Sequence, residues 1–247
     1  MLTIYYILEY TKSEGVEDMR KFVICLVMLL LVASPASACI GARYAALGWS
    51  GVAIADDATA SYWNPAALVW AKDGLLWENI RNRKVIAIKE DNIGFHFVGT
   101  SGQTYWRVSY GHQLASNSAL GINVGWNDFY NSISDYNGPS VDVSYTLRSG
   151  NMIFAILGQN IGNIRPSIAY QDDYITITAD AYDVLELCPL RHYRAGIELV
   201  PISFLSLRWG YESLYDEYAY GIGFEASFAS VDIVVYEGNY GCSFTLF

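Results

Sequence analysis

From residue 74 to the end of the chain, apolar and polar residues alternate with a period of two in one segment after another. In the segment 204–212, bulky apolar side chains occupy every second position. They are Leu205, Leu207, Trp209 and Tyr211. Side chains of a β-strand point to its two faces in turn, so this alternation predicts strands with one apolar and one polar face. Helical periodicity is nearly absent, which predicts an all-β fold.

We predict about twelve strands, with ten or fourteen as alternatives, since a membrane-spanning strand needs about 9–11 residues. The predicted strands lie near 74–80, 84–89, 92–99, 104–111, 119–127, 141–148, 151–159, 192–199, 204–212, 218–228, 231–237 and 240–247. Short turn segments separate most of them. The stretch 168–180 is a further candidate strand, and 165–190 is the one segment long enough for an extended loop.

Two architectures share this alternation, and they differ in where the apolar face points. A soluble sandwich or lipocalin-type barrel turns it inward. An outer-membrane barrel turns it outward to lipid and lines its lumen with the polar face. In this sequence the polar face is rich in Gly, Ser, Arg and Glu, while the apolar face is bulky and rich in Tyr and Trp, which suit the membrane interface. The sequence therefore favours an antiparallel transmembrane β-barrel, with the soluble barrel as the alternative.

Residues 19–38 have the features of an export signal. A basic start, an apolar centre and a small-x-small end define a secretory signal peptide, and the three parts in this chain are Met19-Arg20-Lys21, the run 22–32 and Ala36-Ser37-Ala38. We predict a signal peptide at 19–38, translation starting at Met19, and a misassigned start that adds residues 1–18. Whether Cys39 carries lipid is left open. The expected location is the bacterial outer membrane.

Charge, cysteine spacing and motif content argue against several classes of function. The net charge is −10 and there is no basic stripe, which argues against nucleic acid as a partner. The sequence has four cysteines but no C-x-x-C pair, so no disulfide framework or metal site is indicated. G-x-S-x-G and H-E-x-x-H are absent, and His96, His112 and His192 are far apart in sequence. We expect no enzyme activity, no metal and no cofactor.

The stretch 171–186 gathers five acidic residues. They are Asp172, Asp173, Asp180, Asp183 and Glu186. Carboxylate oxygens suit calcium, but the ordered spacing of a calcium loop is missing. A solvated acidic loop is the favoured interpretation, with calcium binding as the alternative.

The segment 39–72 lacks the alternation and is rich in Gly and Ala, which permit close packing of the backbone. Asp56 and Asp57 can accept N–H bonds at a turn or helix start. Asn64 precedes Pro65, which predicts extended backbone there. We predict that this segment is a hatch that plugs the lumen of a barrel formed by 73–247. Its four turn residues either only fold the plug or also act as a gate.

Charged residues recur on the polar faces of the predicted strands. The lumen candidates are Arg107, Asp142, Arg148, Arg194, Glu198, Arg208, Glu212, Glu225 and Asp232. Charges shielded from water must be paired, so their mixed signs predict a network of ion pairs that fills the interior. A selectivity filter is the functional alternative.

The N-terminal motif resembles that of FadL-type outer-membrane proteins, and the PorV/PorQ-like branch most of all. The matching residues are Gly41-x-Arg43, Leu47-Gly48, Val52-Ala53-x-Ala55-Asp56-Asp57, Tyr62-Trp63-Asn64-Pro65-Ala66 and Leu68. Trp49 stands where that family prefers a small residue, and Ala67 replaces a usual glycine. The chain is also shorter than typical fourteen-stranded members.

The resemblance implies a barrel whose N-terminal segment occupies the lumen. FadL members move long-chain fatty acids and other hydrophobic compounds across the outer membrane, whereas PorV members serve type IX secretion and bind exported cargo. We therefore expect passive transport of hydrophobic small molecules. The alternatives are a type IX secretion or assembly component and a structural barrel without transport. The expected partners are outer-membrane lipid and either a hydrophobic ligand or a secreted protein.

Overall fold

The computed structural model describes residues 41–80, 83–100, 102–129, 138–160, 163–184, 191–236 and 239–247. The predicted signal peptide at 19–38, the residues before it and Cys39 lie outside these ranges. Within them, no helix has both the length and the apolar character needed to cross a membrane.

The described residues form fourteen strands that close into one antiparallel barrel, with each strand paired to its sequence neighbours and β1 paired to β14. The strands are β1 (Gly74–Ile80), β2 (Arg83–Glu90), β3 (Ile93–Gly99), β4 (Gln103–Ala115), β5 (Ser118–Phe129), β6 (Gly138–Ser149), β7 (Met152–Gln159), β8 (Asn163–Gln171), β9 (Ile175–Tyr182), β10 (His192–Ile202), β11 (Leu205–Glu212), β12 (Glu217–Ala226), β13 (Ala229–Tyr236) and β14 (Asn239–Leu246). The predicted all-β transmembrane barrel is confirmed. Its strand number is the higher alternative, and twelve was too few.

Apolar side chains point outward from the barrel and polar ones point into it. In β2 the two faces alternate strictly between buried and exposed, and the exposed positions include Ile86 and Ile88. In β5 the exposed Ile122 and Val124 flank the buried Asn123. The soluble alternative is therefore wrong, because its apolar faces would meet in a dry centre.

The segment 165–190, the one stretch long enough for an extended loop, holds no such loop in its described part, and the candidate strand 168–180 covers parts of two strands. Its described part contains β8 and β9, joined by a tight turn at 172–174. Asp172 shapes that turn by accepting N–H bonds from Tyr174 and Ile175 at 2.8 and 2.9 Å. The predicted acidic loop is thus largely a β-hairpin, and Asp180 points into the lumen. Glu186 lies outside the described residues.

The chain before β1 fills the lumen, and we call residues 41–71 the plug. It contains the short helices α1 (Ala42–Ala46) and α2 (Ala60–Trp63) and a 3₁₀ helix, Pro65–Val69. Tyr44, Leu47 and Trp63 are fully buried in the centre of its apolar cluster. The barrel is therefore filled by a folded segment of its own chain, as the small-residue composition predicted.

Candidate functional site: the plug and the adjoining wall

Turn residues of the plug fix its local fold. Asp57 Oδ1 accepts the backbone N–H of Thr59 at 2.7 Å, just before α2. Asn64 Oδ1 accepts the N–H of Ala66 at 3.1 Å, and Pro65 occupies the first turn of the 3₁₀ helix, where a missing N–H costs nothing. These contacts account for the role of Asp57, Asn64 and Pro65 in folding the plug.

The plug is also bonded directly to the wall. Asn64 Nδ2 donates to Val52 O at 2.7 Å and to Thr146 Oγ1 of β6 at 2.8 Å. The Ala66 N–H donates to Ser144 Oγ, also on β6, at 2.8 Å. Because backbone groups of the plug cannot reach water, inward-facing hydroxyl groups of the strands take the place of solvent.

A first cluster of charges joins the plug to the wall at the terminal rim, the end of the barrel where β1 begins and β14 ends. Arg43 pairs with Asp56 and makes two bonds to Glu198 of β10, at 3.1 and 2.9 Å. Arg208 of β11 pairs with Glu198 and also with Asp232 of β13, at 2.5 Å. A cavity of about 120 Å³ lies beside this cluster.

A second cluster lies inside the wall itself, around Asp142 of β6. Arg107 Nε donates to Asp142 Oδ2 at 3.0 Å, and Asn123 Nδ2 donates to the same oxygen at 3.3 Å. The backbone N–H of Asn160 donates to Asp142 Oδ1 at 3.1 Å. These three donors all belong to the barrel wall, so the cluster ties strands to one another.

A third cluster joins β10 and β11. Arg194 donates to Glu212 Oε1 through Nε at 2.8 Å, and its Nη2 lies 2.7 Å from the same oxygen. His192 Nε2 lies 3.3 Å from that oxygen as well. The His192 ring stacks on Tyr182 at 4.4 Å between centroids. Seven of the nine predicted lumen residues are thus brought into three separate groups.

Two of the predicted lumen residues have other surroundings. The Arg148 guanidinium lies over the Trp70 ring of the plug, 4.5 Å from its centroid. Glu225 is exposed at the terminal rim and pairs with Lys72 at 2.5 Å. The histidines are also apart: His96 is buried beside Ser61, His112 is exposed on β4, and His192 belongs to the third cluster.

The Asp57 carboxyl group of the plug has a raised pKa. Desolvation inside the lumen, followed by repulsion from the Asp56 carboxylate, raises the pKa of Asp57 from 3.8 to about 6. The hydrogen bonds from Thr59 act in the opposite direction and are outweighed. The charge of the plug therefore changes in a mildly acidic range.

The hydrogen-bond ladder between β8 and β9 is incomplete, at a place we call the seam. These strands pair only from Ser167, opposite Asp180, to Gln171, opposite Thr176. Both strands continue beyond Ser167 and Asp180, paired to β7 and β10 on their other sides.

Pro166 lies in β8 directly before Ser167, where the pairing with β9 stops, and it has no N–H to donate to the ladder. The strands meet again where the Val184 N–H donates to Ile164 O at 3.3 Å.

A groove of about 540 Å³ lies over the seam on the lipid-facing surface. Its floor contains Ala179, Ala181 and Ala195, whose small side chains leave room between larger neighbours. Phe154 and Tyr193 are exposed members of its lining, which also includes Ser167, Asp180 and Arg194, whose side chains are buried on the lumen side of the wall. None of the sites predicted from the sequence includes this groove. Pro166 within a period-two segment, and alanines on its apolar face, were the available signals.

No protein-family model matches the chain, and no curated protein matches its sequence significantly. Solved structures do match. The toluene transporter TbuX of Ralstonia pickettii aligns with a TM-score of 0.56 at 10% identity, covering 84% of this chain and 98% of TbuX. The P. putida toluene transporter TodX has the same TM-score at 12% identity, covering 83% and 98%. The monoaromatic hydrocarbon channel CymD also gives 0.56, at 9% identity, covering 83% and 95%.

The fold is of the FadL type. Identities this low establish the fold alone, so the predicted FadL resemblance is confirmed at that level. The PorV/PorQ-like branch stays a prediction.

Proposed function

We propose that this protein is an outer-membrane barrel that passes small hydrophobic molecules across the membrane without chemical change. The observation that carries the proposal is the apolar groove lying over an incomplete strand ladder in the barrel wall, next to a plug that fills the lumen. An uncharged hydrophobic molecule is stable in lipid and in such a groove, and unstable in a water-filled pore. The transport named for TbuX and TodX supports the same class of ligand.

The path that we propose joins the lumen to the membrane sideways, through the seam. Side chains beyond the groove floor are polar, and they include Ser167 and Asp180. A molecule on this path exchanges polar contacts inside the barrel for apolar ones outside, as hydrophobic transport into a bilayer requires. The plug, with Asp56, Asp57, Asn64 and Pro65 at its turns, is proposed as the gate on the lumen side.

The test is to fill the groove. In Ala181→Trp the added ring occupies the groove from its floor, and uptake of radiolabelled toluene by bacterial cells carrying the protein should fall to the level of cells without it. Val143→Trp adds the same ring to another part of the lipid face, where Val143 is 52% exposed, and should leave uptake unchanged. Equal uptake by both variants would exclude the groove from transport.

The resemblance of 41–68 to the PorV/PorQ-like motif supports a second candidate, a secretion or assembly component that binds an exported protein. This function would need a partner at a rim of the barrel. Affinity purification of the full chain from its native membrane, after chemical cross-linking, tests it: a stoichiometric exported protein supports the second candidate, and toluene uptake without such a partner supports the first. Export through a signal peptide at 19–38 is part of both proposals.

A further inference from the structure

We infer that Asp180 is a positioning residue that couples the plug to the seam, so that each holds the other in place. The inference rests on the proposed function for its biological purpose. The coupling itself depends only on contacts within this chain and can be tested separately.

The plug is hydrogen-bonded to β9, the strand on one side of the seam. The N–H groups of Gly51 and Val52 donate to Asp180 Oδ2 at 3.1 and 3.3 Å. One residue earlier, Ser50 Oγ lies 3.0 Å from Thr178 Oγ1. A short run of plug backbone is therefore held by one face of β9.

The next plug residue is bonded to β8, on the other side of the seam. The Ala53 N–H donates to Ser167 Oγ at 3.1 Å. Ser167 in turn donates its hydroxyl proton to Asp180 Oδ1, and Arg165 Nη2 lies 3.6 Å from Asp180 Oδ2. The carboxylate of Asp180 thus gathers donors from β8 and from the plug at one point.

This point is where the ladder between the two strands stops. Ser167 and Asp180 are the last paired residues before the gap. Asp180 is only 3% exposed, so its charge depends on protein donors for solvation. Loss of the plug's two N–H groups would leave this carboxylate short of partners at a position where the ladder of the wall ends. Plug departure and seam opening therefore favour each other, and such coupling is reciprocal.

Asp142 offers a matched control. It is 1% exposed and accepts bonds from Arg107, Asn123 and the Asn160 N–H. These partners belong to the wall: Asp142 lies opposite Asn123 in the β5–β6 ladder and opposite Gln159 in the last pair of the β6–β7 ladder. A change at Asp142 therefore removes a buried carboxylate from the same barrel without touching plug or seam contacts.

The experiment measures hydrogen exchange in the full chain folded in detergent micelles, for wild type, Asp180→Asn, Ser167→Ala and Asp142→Asn. Two regions are followed: the plug amides of residues 51–53, and the Val184 amide, which closes the far side of the gap. Asp180→Asn weakens charge-assisted bonds to the plug, so both regions should exchange about tenfold to a hundredfold faster. Ser167→Ala should speed both by less. Asp142→Asn should leave both near wild-type rates.

Faster exchange of the plug with Val184 unchanged would overturn the coupling, and so would equal acceleration by Asp142→Asn. If Asp180→Asn does not fold, Ser167→Ala decides by the same comparison of the two regions. Toluene uptake by wild-type cells is measured separately. Absent uptake with coupled exchange would defeat the transport proposal and keep the coupling, and the reverse result would defeat the coupling alone.

Discussion

At the scale of single residues, Asn64 joins three parts of the molecule through one amide group. It holds Val52 in the plug, Thr146 in the wall and the start of the 3₁₀ helix at Ala66. Asn64→Ala leaves the Val52 carbonyl and the Thr146 hydroxyl without this donor in a buried place. We expect the free energy of plug opening, measured by native-state hydrogen exchange, to fall by about 2 kcal/mol.

Asn151 gives the control for this change. Its Nδ2 also donates to an oxygen, Tyr170 Oη at 3.3 Å, but at an exposed turn where water replaces the lost bond. Asn151→Ala should change the same free energy by less than about 0.5 kcal/mol. A similar loss in both variants would show that the buried position of Asn64 is not what matters.

Asp57 makes the stability of the plug depend on pH. Its pKa is about 6 in the folded plug and 3.8 when exposed, so the folded state holds the proton more tightly than the unfolded state. The resulting stabilisation is complete below pH 3.8 and is lost as pH rises through 6. Between pH 5 and pH 7 the plug should lose about 1 kcal/mol by this route.

Asp57→Asn removes the titration and keeps an oxygen for the Thr59 N–H. The measurement is exchange of plug amides at both pH values, corrected for the intrinsic rate, in wild type and variant. The variant should lack this pH-dependent difference. An unchanged pH dependence would mean that another group carries it.

At the scale of elements, lumen-facing glycines let the plug pack directly on the strands. A Cβ at Gly121 of β5 would lie 2.0 Å from the Ala66 N, and one at Gly210 of β11 would lie 1.9 Å from the Gly48 N. Gly121→Ala should therefore displace the 3₁₀ helix, and we expect a loss of about 1–3 kcal/mol in plug stability. Exchange of the backbone amides of residue 64 and residues 66–69 measures it.

Gly158→Ala on β7 is the matched substitution, because its Cβ would meet nothing closer than Val143 O at 3.7 Å. It should leave exchange at 64–69 unchanged, with the barrel equally resistant to unfolding in SDS. If Gly121→Ala also leaves it unchanged, the plug can shift without cost and its contact with β5 is loose.

Most strands could be predicted from the sequence because their two faces differ strongly in polarity. β8 and β9 were predicted only as one candidate strand at 168–180, within a segment long enough to be a loop, for a local reason. Pro166 stands inside β8, where proline argues against a strand. Ala179 and Ala181 occupy outward-facing positions of β9 at which other strands have bulky apolar side chains, so they weaken the alternation. The proline and the two alanines that made these strands hard to predict also form the seam and the groove.

The charged residues of the lumen could be identified as a set but not as pairs. Pairing depends on strand register, which a single sequence does not give. Glu198 lies directly opposite Arg208, and Arg194 opposite Glu212, only because β10 and β11 meet in the observed register. The contact of Arg43 with Glu198 further depends on where the plug enters the barrel.

At the scale of the whole molecule, the barrel and the plug meet two different physical requirements. The closed ladder satisfies strand backbone groups and lets apolar side chains face lipid. The plug fills a lumen that fourteen strands would leave wide, since eight-stranded barrels are already filled by side chains. The barrel and the plug depend on each other at the seam, because the strand ladder is incomplete there and the plug donates hydrogen bonds to the strands on both of its sides.

Removing residues 41–71 should therefore open the lumen without dissolving the barrel. The strand ladder closes through β1 and β14 without help from the plug, while the charged side chains of the lumen become hydrated. Liposomes containing the truncated protein should swell in arabinose at the rate of an open pore, whereas the full chain stays near background. A truncated barrel that still resists unfolding in SDS but does not increase swelling would mean that its loops or side chains close the lumen without the plug.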